Sequence, residues 1–401
     1  MKILFISTRL PHPRVVSGHL IVYQRIRRLV ARGHEVGLAV FSQDDDAAHL
    51  PEIAPMLREY EIVPRPGAAS ARGRLWNYLF PTVPDRFAAY YSPEMFKCVG
   101  DMVERRRYDV VLSEFSVMGQ YVNRNPYLSA VRRIVSVHQC QTITTQKALD
   151  VLGFRPRAIR EWLAMRGLRQ YEFEAYRSAD RLLVLTQEER FGILNYAPDL
   201  RITVIPSGVD TDYFQPGDTA IKEQAIVFTG YYSDEPNRDA VMWFAHTVWP
   251  RLKSRYPDLA FYVVGPSPTS DMIELARKDP RIIVTGEVDD IRPYLAKARA
   301  FVCPNRLGSG MRGKILQAMA SGVPVVATTQ SAEGIPIQMG DNGFLADKPR
   351  IMAQYIDLLL GDPALQFSIA QHAREMVVEK FSWDRGVDLL EGVLDDVLAG
   401  R

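Results

Sequence analysis

Residues 298–334, ARAFVCPNRLGSGMRGKILQAMASGVPVVATTQSAEG, limit the folds open to this chain more than any other stretch. An apolar run at 300–304 reads as a strand, and a loop with two glycines follows at 305–310. Residues 311–321 then place Ile315, Leu316 and Met319 on one helical face, with Arg312 and Lys314 in the first turn. Gly322 stops that helix, and 323–328 is a second apolar strand. Strand, glycine loop, helix, strand is one βαβ unit, whose crossover is right-handed.

The start of this helix carries the chemistry. Free N–H groups and the positive end of the macrodipole make a first helical turn attractive to anions, and cations placed there oppose the dipole. Arg312 and Lys314 therefore fit a bound anion, a diphosphate above all, with Gly308 and Gly310 letting the backbone approach it. They also fit two solvated cations beside a turn shaped by glycines. The residues alone leave both readings open.

The same alternation runs through the whole chain. Residues 2–7 form an apolar strand, 10–18 a loop with Pro and Gly, 19–32 a helix and 35–41 the next strand. Further strands are expected at 60–63, 110–113, 133–137, 181–186 and 202–205. At 206–218 (PSGVDTDYFQPGD) the text turns loop-like, and a second alternation begins. It has strands at 225–229, 259–264 and 281–284 and helices at 238–255, 270–277 and 291–297. Amphipathic helices at 350–378 and 383–399 end the chain. This is an α/β chain of two Rossmann-like domains, without a nicotinamide-type G-x-G-x-x-G after the first strand, and it predicts two facing domains with a cleft between them. The expected boundaries are 1–205, 206–382 and a closing helix at 383–401.

With 401 residues the chain can form two domains, each with its own core. It lacks the roughly 18 unbroken apolar residues of a membrane span, and residues 3–6 are too short for a secretory core. Cys98, Cys140 and Cys303 are scattered without metal-ligand spacing, which suits a reducing cytoplasm. The net charge of +2 hides an asymmetry, +8 over residues 1–205 and −6 over the rest. In the basic half, Arg65, Arg72, Arg74 and Arg86 mix with Trp76, Tyr78, Phe80, Phe87, Tyr90 and Tyr91. A second basic stretch has Arg155, Arg157, Arg160, Trp162, Arg166 and Arg169 on one expected helix. Such mixtures suit an anionic membrane surface or a lipid-diphosphate headgroup, and equally a solvated helix face with aromatics packed inward. No nucleic-acid motif accompanies them.

The segment GSGMRGKILQAMASGVPVVAT, followed by SAEG, resembles the donor-site signature of retaining glycosyltransferases of the GT-B fold in glycosyltransferase family 4. Other segments agree in order: MKILFISTRLPHPRVVSGH at the start, VIPSGVDTDYFQP at 204–216 and GYYSDEPNRDAVMWF at 230–244. VTGEVDDIRPYLAKARAFVCP at 284–304 and FSW at 381–383 extend the likeness to nearly the whole chain. It is most similar to the sugar transferases of bacterial exopolysaccharide synthesis. The resemblance implies an enzyme, without a cofactor, that moves a sugar from a nucleotide-diphosphate sugar to a saccharide or lipid-linked acceptor. Arg312 and Lys314, able to neutralise a leaving diphosphate, and the lack of a carboxylate cluster in the sequence point to a metal-independent one. With the scattered cysteines and the basic-aromatic stretches, the expectation is a cytoplasmic protein able to touch the inner membrane surface, and in the GT-B resemblance the last helix crosses back to the first domain.

The resemblance also assigns roles. His138, which follows the 133–137 strand, corresponds to a histidine that bonds a sugar hydroxyl near the reacting carbon, although from position alone it reads as readily as a packed structural residue. Arg312 and Lys314 neutralise the leaving diphosphate. Gly18, Gly230, Asn237, Glu287, Val288, Ser309, Gly310, Met311, Gln317 and Glu333 fall at donor-binding positions. Of these, Glu287 and Val288 meet the nucleobase through backbone, and Glu333 is the acid near the sugar. Three departures stand out: His19 occupies a frequent glycine position, Gln139 and Gln141 replace polar partners of the histidine, and Ser309 and Gln317 stand where many relatives carry paired glutamates. Two rival readings follow, a nucleotide-sugar-binding protein that has lost catalysis, suggested by Gln317, and a nucleotide-sugar epimerase of the same fold.

Overall fold

The computed structural model describes residues 1–13, 18–43, 46–66, 83–152, 156–217, 223–308 and 310–401. Ser309, Arg155 and the basic-aromatic residues at 72–80 lie outside them. The chain divides into two compact units, Met1–Pro206 with Val387–Arg401, and Ser207–Gly386.

The first unit is built on a parallel sheet of seven strands: β1 (Lys2–Ser7), β2 (Glu35–Phe41), β3 (Glu59–Val63), β4 (Val110–Glu114), β5 (Arg132–Val137), β6 (Arg181–Val184) and β7 (Ile202–Val204). Their order is β3-β2-β1-β4-β5-β6-β7. Central strands such as KILFIS are buried on both faces because helices cover a parallel sheet on both sides, so they read as unbroken apolar runs. One face packs Leu4, Ile6, Val111 and Val135; the other packs Ile3, Phe5, Leu112 and Ile134 against Val22 and Ile26 of the Gly18–Ala31 helix. Val387, Leu390 and Leu394 of the last helix, Trp383–Leu398, join that second face.

The second unit repeats the design with β8 (Ala225–Thr229), β9 (Ala260–Val264), β10 (Ile282–Gly286), β11 (Ala300–Cys303), β12 (Val325–Ala327) and β13 (Phe344–Leu345), ordered β10-β9-β8-β11-β12-β13 and parallel throughout. In each sheet the strand order reverses once, beside β1 and β4 in the first and beside β8 and β11 in the second. Chains that depart to opposite faces leave a crevice at the carboxyl ends of those strands, where open α/β sheets take ligands.

Three helices differ from the sequence expectation. The one expected at 238–255 is two, Glu235–Thr247 and Trp249–Lys253, because Pro250 has no N–H to continue the ladder. The one expected at 350–378 divides into Pro349–Gly361 and Pro363–Phe381; Asp362 is extended, and its carboxylate accepts from the Ala364 and Leu365 amides at 3.0 Å. The helix expected at 311–321 spans Gly313–Ala320. Gly308 and Gly310 hold φ of +84° and +88°, so the loop persists to Arg312, which is the extended cap residue rather than part of the first turn.

Candidate active site

In the second unit the crevice end of the sheet gathers residues far apart in sequence. Gly230 follows β8 directly, and its amide donates to the Val264 carbonyl at 3.0 Å. Asn237, at the start of the Glu235–Thr247 helix, donates through Nδ2 to the Tyr231 carbonyl at 2.8 Å. Its Oδ1 accepts from Lys314 Nζ at 2.8 Å and from Asn305 Nδ2 at 3.2 Å. Asn305, fully buried just after β11, also donates to the Pro236 carbonyl at 2.9 Å. Lys314 Nζ lies 4.3 Å from the centre of the Phe228 ring. Its ammonium is thus enclosed although the residue keeps some surface; loss of water above all, with the charge of Arg312, pushes it down from 10.5 to about 8.

Arg312 Nη2 donates to the Leu307 carbonyl at 2.9 Å, while its Nε is buried without a partner. A Cβ at Gly308 would stand 2.6 Å from Arg312 Nη2 and would push that guanidinium aside, while the φ of +84° is what favours glycine there. Neither Arg312 nor Lys314 has a carboxylate partner bonded to it among the described residues. Two cations, one of them enclosed, at the start of a helix make a site that favours an anion twice over.

The remaining expected donor residues surround this group unevenly. Glu333 Oε2 accepts from the Gly310 amide at 2.8 Å, so the acid is tied to the glycine loop. Met311 is half-buried and packs on the core. Gln317 sits one turn beyond Lys314, half-buried, with no side-chain hydrogen bond among the described residues. Glu287 is exposed after β10 and Val288 packs on the core; neither joins the Asn237 cluster. Asp290 accepts from the Arg292 amide at 2.9 Å and serves the start of the Arg292–Lys297 helix.

In the first unit the crevice end of the sheet holds His138, Gly18 and a buried ion pair. Glu114, the last residue of β4, is fully buried. Arg25 Nη1 donates to its Oε1 and Oε2 at 2.9 and 3.1 Å and to Ser136 Oγ at 2.9 Å. His138 Nε2 lies 2.7 Å from Glu114 Oε2. Desolvation would raise the Glu114 carboxyl, but the Arg25 charge and the bond from His138 outweigh it and hold the group at about 2. The His138 ring stacks on Phe115, centroids 4.2 Å apart, and Phe115 itself holds a φ of +73°. A Cβ on Gly18 would stand 2.6 Å from His138 Nδ1, so glycine is required for this approach. His19 bonds Thr8 Oγ1 at 2.7 Å instead of opening the loop.

Sequence reasoning missed Arg25, Glu114 and Asn305. A signal existed for two of them. Arg25 falls on the inward phase of its helix, between Val22 and Leu29, and Glu114 is the one charge in the buried strand VVLSE.

Among the described residues, His12, His49 and Glu52 bring donor atoms within 4.8 Å of one another. The two rings lie parallel, 6° between planes and 4.0 Å between centroids. Imidazole lone pairs lie in the ring plane, so rings stacked this way do not converge on one ion about 2.0–2.1 Å from each nitrogen. His49 Nδ1 pairs with Glu52 at 3.3 Å instead.

Two family models match the chain: "Glycosyltransferase Family 4" over residues 20–213 and "Glycosyl transferases group 1" over 223–362. It is 22% identical over 381 residues to the UDP-Gal:alpha-D-GlcNAc-diphosphoundecaprenol alpha-1,3-galactosyltransferase of Escherichia coli, covering 86% of this chain and 93% of that one. Among solved structures it is similar to sucrose-phosphate synthase from Thermosynechococcus elongatus, with a TM-score of 0.73, 17% identity and full coverage of both chains. The Anabaena HepE structure in complex with UDP aligns with a TM-score of 0.71 and 15% identity, over 99% of this chain and all of that one.

Proposed function

The chain is a GT-B fold glycosyltransferase related to family 4, moving a sugar from a nucleotide-diphosphate sugar to a saccharide or lipid-linked acceptor, and from that premise we propose which residues do the work. Arg312 and Lys314 receive the diphosphate of the donor, and His138 hydrogen-bonds a hydroxyl of the sugar being transferred. The bond from the anomeric carbon to the diphosphate breaks with its electron pair leaving on the phosphate oxygen. The acceptor oxygen bonds the anomeric carbon on the same face, and its proton goes to the departing diphosphate, so configuration is retained. Charge develops on the diphosphate, and fixed cations aimed there lower the barrier without reorganising.

The observation that carries this reading is the enclosed ammonium of Lys314, held by Asn237 and with no carboxylate bonded to it among the described residues, next to Arg312 at the helix start. Arg312→Ala removes one charge-assisted contact and should weaken binding of UDP or GDP by roughly tenfold or more, with the melting temperature unchanged. Calorimetry showing equal affinity in Arg312→Ala and Lys314→Met would refute the assignment. The anomeric configuration of the product, read by NMR, tests retention.

The acceptor is proposed to be lipid-linked, reached at an anionic membrane surface. Trp162 and Leu163 stand side by side on the Pro156–Arg177 helix, both 68% exposed, with exposed Arg166 and Arg169 on the turns that follow. An exposed aromatic-aliphatic pair beside arginines matches the interfacial layer of a bilayer. No helix among the described residues is long and apolar enough to cross one. Co-sedimentation with phosphatidylglycerol vesicles should fall sharply in a Trp162→Ser, Leu163→Ser double variant, and undiminished binding would remove this helix from the reading.

A further inference from the structure

Three residues brought together at the crevice end of the first sheet have a chemical consequence for His138. Glu114 comes from the end of β4, Arg25 from the inward face of the Gly18–Ala31 helix and His138 from the residue after β5. A carboxylate paired with a buried guanidinium is ionised and can only accept. The 2.7 Å contact therefore requires that His138 Nε2 carry the hydrogen and donate it. In a neutral imidazole the other nitrogen then has a lone pair. That nitrogen, Nδ1, is buried and has no partner, and it faces the bare Cα of Gly18. The Phe115 ring, stacked at 28° to the imidazole, limits rotation of the ring away from this pose.

We propose that Glu114, oriented by Arg25, is a positioning residue that fixes His138 as the Nε2–H tautomer, leaving Nδ1 as the acceptor for a substrate hydroxyl beside Gly18. The inference rests on the reading that His138 meets the donor sugar, and it adds the nitrogen used, the direction of the hydrogen bond and the residues that set both. A purely structural ion pair would need no histidine on its second oxygen. Nor would it need the glycine that leaves Nδ1 uncovered. The arrangement selects a substrate group that can donate, a free hydroxyl, over one that cannot, such as a deoxy or O-methylated carbon at the same position.

The test begins without any variant. Long-range proton–nitrogen NMR of the full chain labelled with 15N-histidine reports which ring nitrogen of His138 is protonated, with His138→Gln used to assign the signal. The expected pattern is Nε2–H; an Nδ1–H pattern or rapid exchange between tautomers overturns the inference. Glu114→Gln then changes one atom type. Arg25 must keep the carboxamide oxygen, so the amide NH2 turns to His138, which can satisfy it only by accepting at Nε2 and moving its hydrogen to Nδ1. Turnover, measured well below the melting temperature of the variant, should fall on the order of 10²-fold or more while UDP or GDP affinity changes little; the melting temperature itself falls, because Arg25 loses its buried counter-charge. Glu114→Gln with the tautomer unchanged, or with the tautomer switched and turnover intact, rejects the positioning role. If instead His138→Ala keeps full turnover while the Nε2–H pattern is present in the unaltered chain, the reading of His138 at the sugar is what fails. The two failures are thus told apart.

Discussion

The enclosed ammonium of Lys314 predicts a pH dependence of donor binding that solvated lysines do not show. Burial lowers it from 10.5 to about 8 in the free protein. A bound diphosphate supplies the missing counter-charge and should return it to near its ordinary value, so binding and protonation are linked. At pH 7 about nine-tenths of the molecules carry the charge, and at pH 9 about one-tenth. If only the charged form binds well, affinity for UDP or GDP falls about tenfold from pH 7 to pH 9, and binding at pH 8 takes up about half a proton. Titration calorimetry in buffers of different ionisation enthalpy measures both quantities. Lys314→Arg, charged throughout this range, should flatten the profile. The sign of the stability effect is fixed by the same shift. The folded protein binds this proton less readily than the unfolded chain, so stability rises as pH goes from about 8 towards 10.5. Affinity that stays within twofold from pH 7 to pH 9, with no proton uptake, would refute the placement of Lys314 on the diphosphate.

Acid should act through Glu114: its contribution is complete above pH 4.5 and is lost as pH falls towards 2, about 3 kcal/mol in urea unfolding, and Glu114→Gln should remove that slope. Gly18→Ala sets a methyl 2.6 Å from His138 Nδ1 and 2.7 Å from the Phe115 ring, so turnover should drop at least tenfold, roughly, while calorimetric affinity for UDP or GDP is kept. Gln317→Leu should weaken nucleotide binding and Gln317→Glu should preserve or strengthen it if the side chain accepts from a ribose hydroxyl; equal binding by the leucine variant makes Gln317 a packing residue and removes the argument for lost catalysis.

Most of the strands were legible because a parallel sheet covered on both faces needs continuous apolar runs, and AIVFT or AFVC can hardly be anything else. Alternation and handedness narrow the sheet orders to a handful without choosing among them, and the choice comes from the structure. Helix ends were less legible. Pro250 and Pro363 lie inside stretches whose apolar spacing runs on across them, and periodicity alone carries the pattern through a break that backbone chemistry imposes. The site divides in the same way. Cations at a helix start are a local pattern, readable at 312 and 314. The Arg25–Glu114 pair spans 89 positions and the Glu333–Gly310 bond spans 23, and no local spacing announces either. Arg25 also appears as one of several arginines in QRIRR; only its helical phase distinguishes the buried one from its exposed neighbours.

Asn237 commits both lone pairs of its side-chain oxygen and one of its two amide hydrogens to three separate segments of chain. Its oxygen takes both Lys314 and Asn305, and its amide holds the Tyr231 carbonyl. Such a residue couples the histories of its neighbours. A lineage that replaces Lys314 first strands a lone pair, one that replaces Asn237 first strands an ammonium, and one that replaces Asn305 first loosens both. Single steps are penalised from every direction while the triple change is not, so these positions should drift together or not at all. Laboratory evolution aimed at a new donor will therefore move faster through Tyr231, Glu287 and Val288, whose side chains carry no such obligation to the Asn237 cluster.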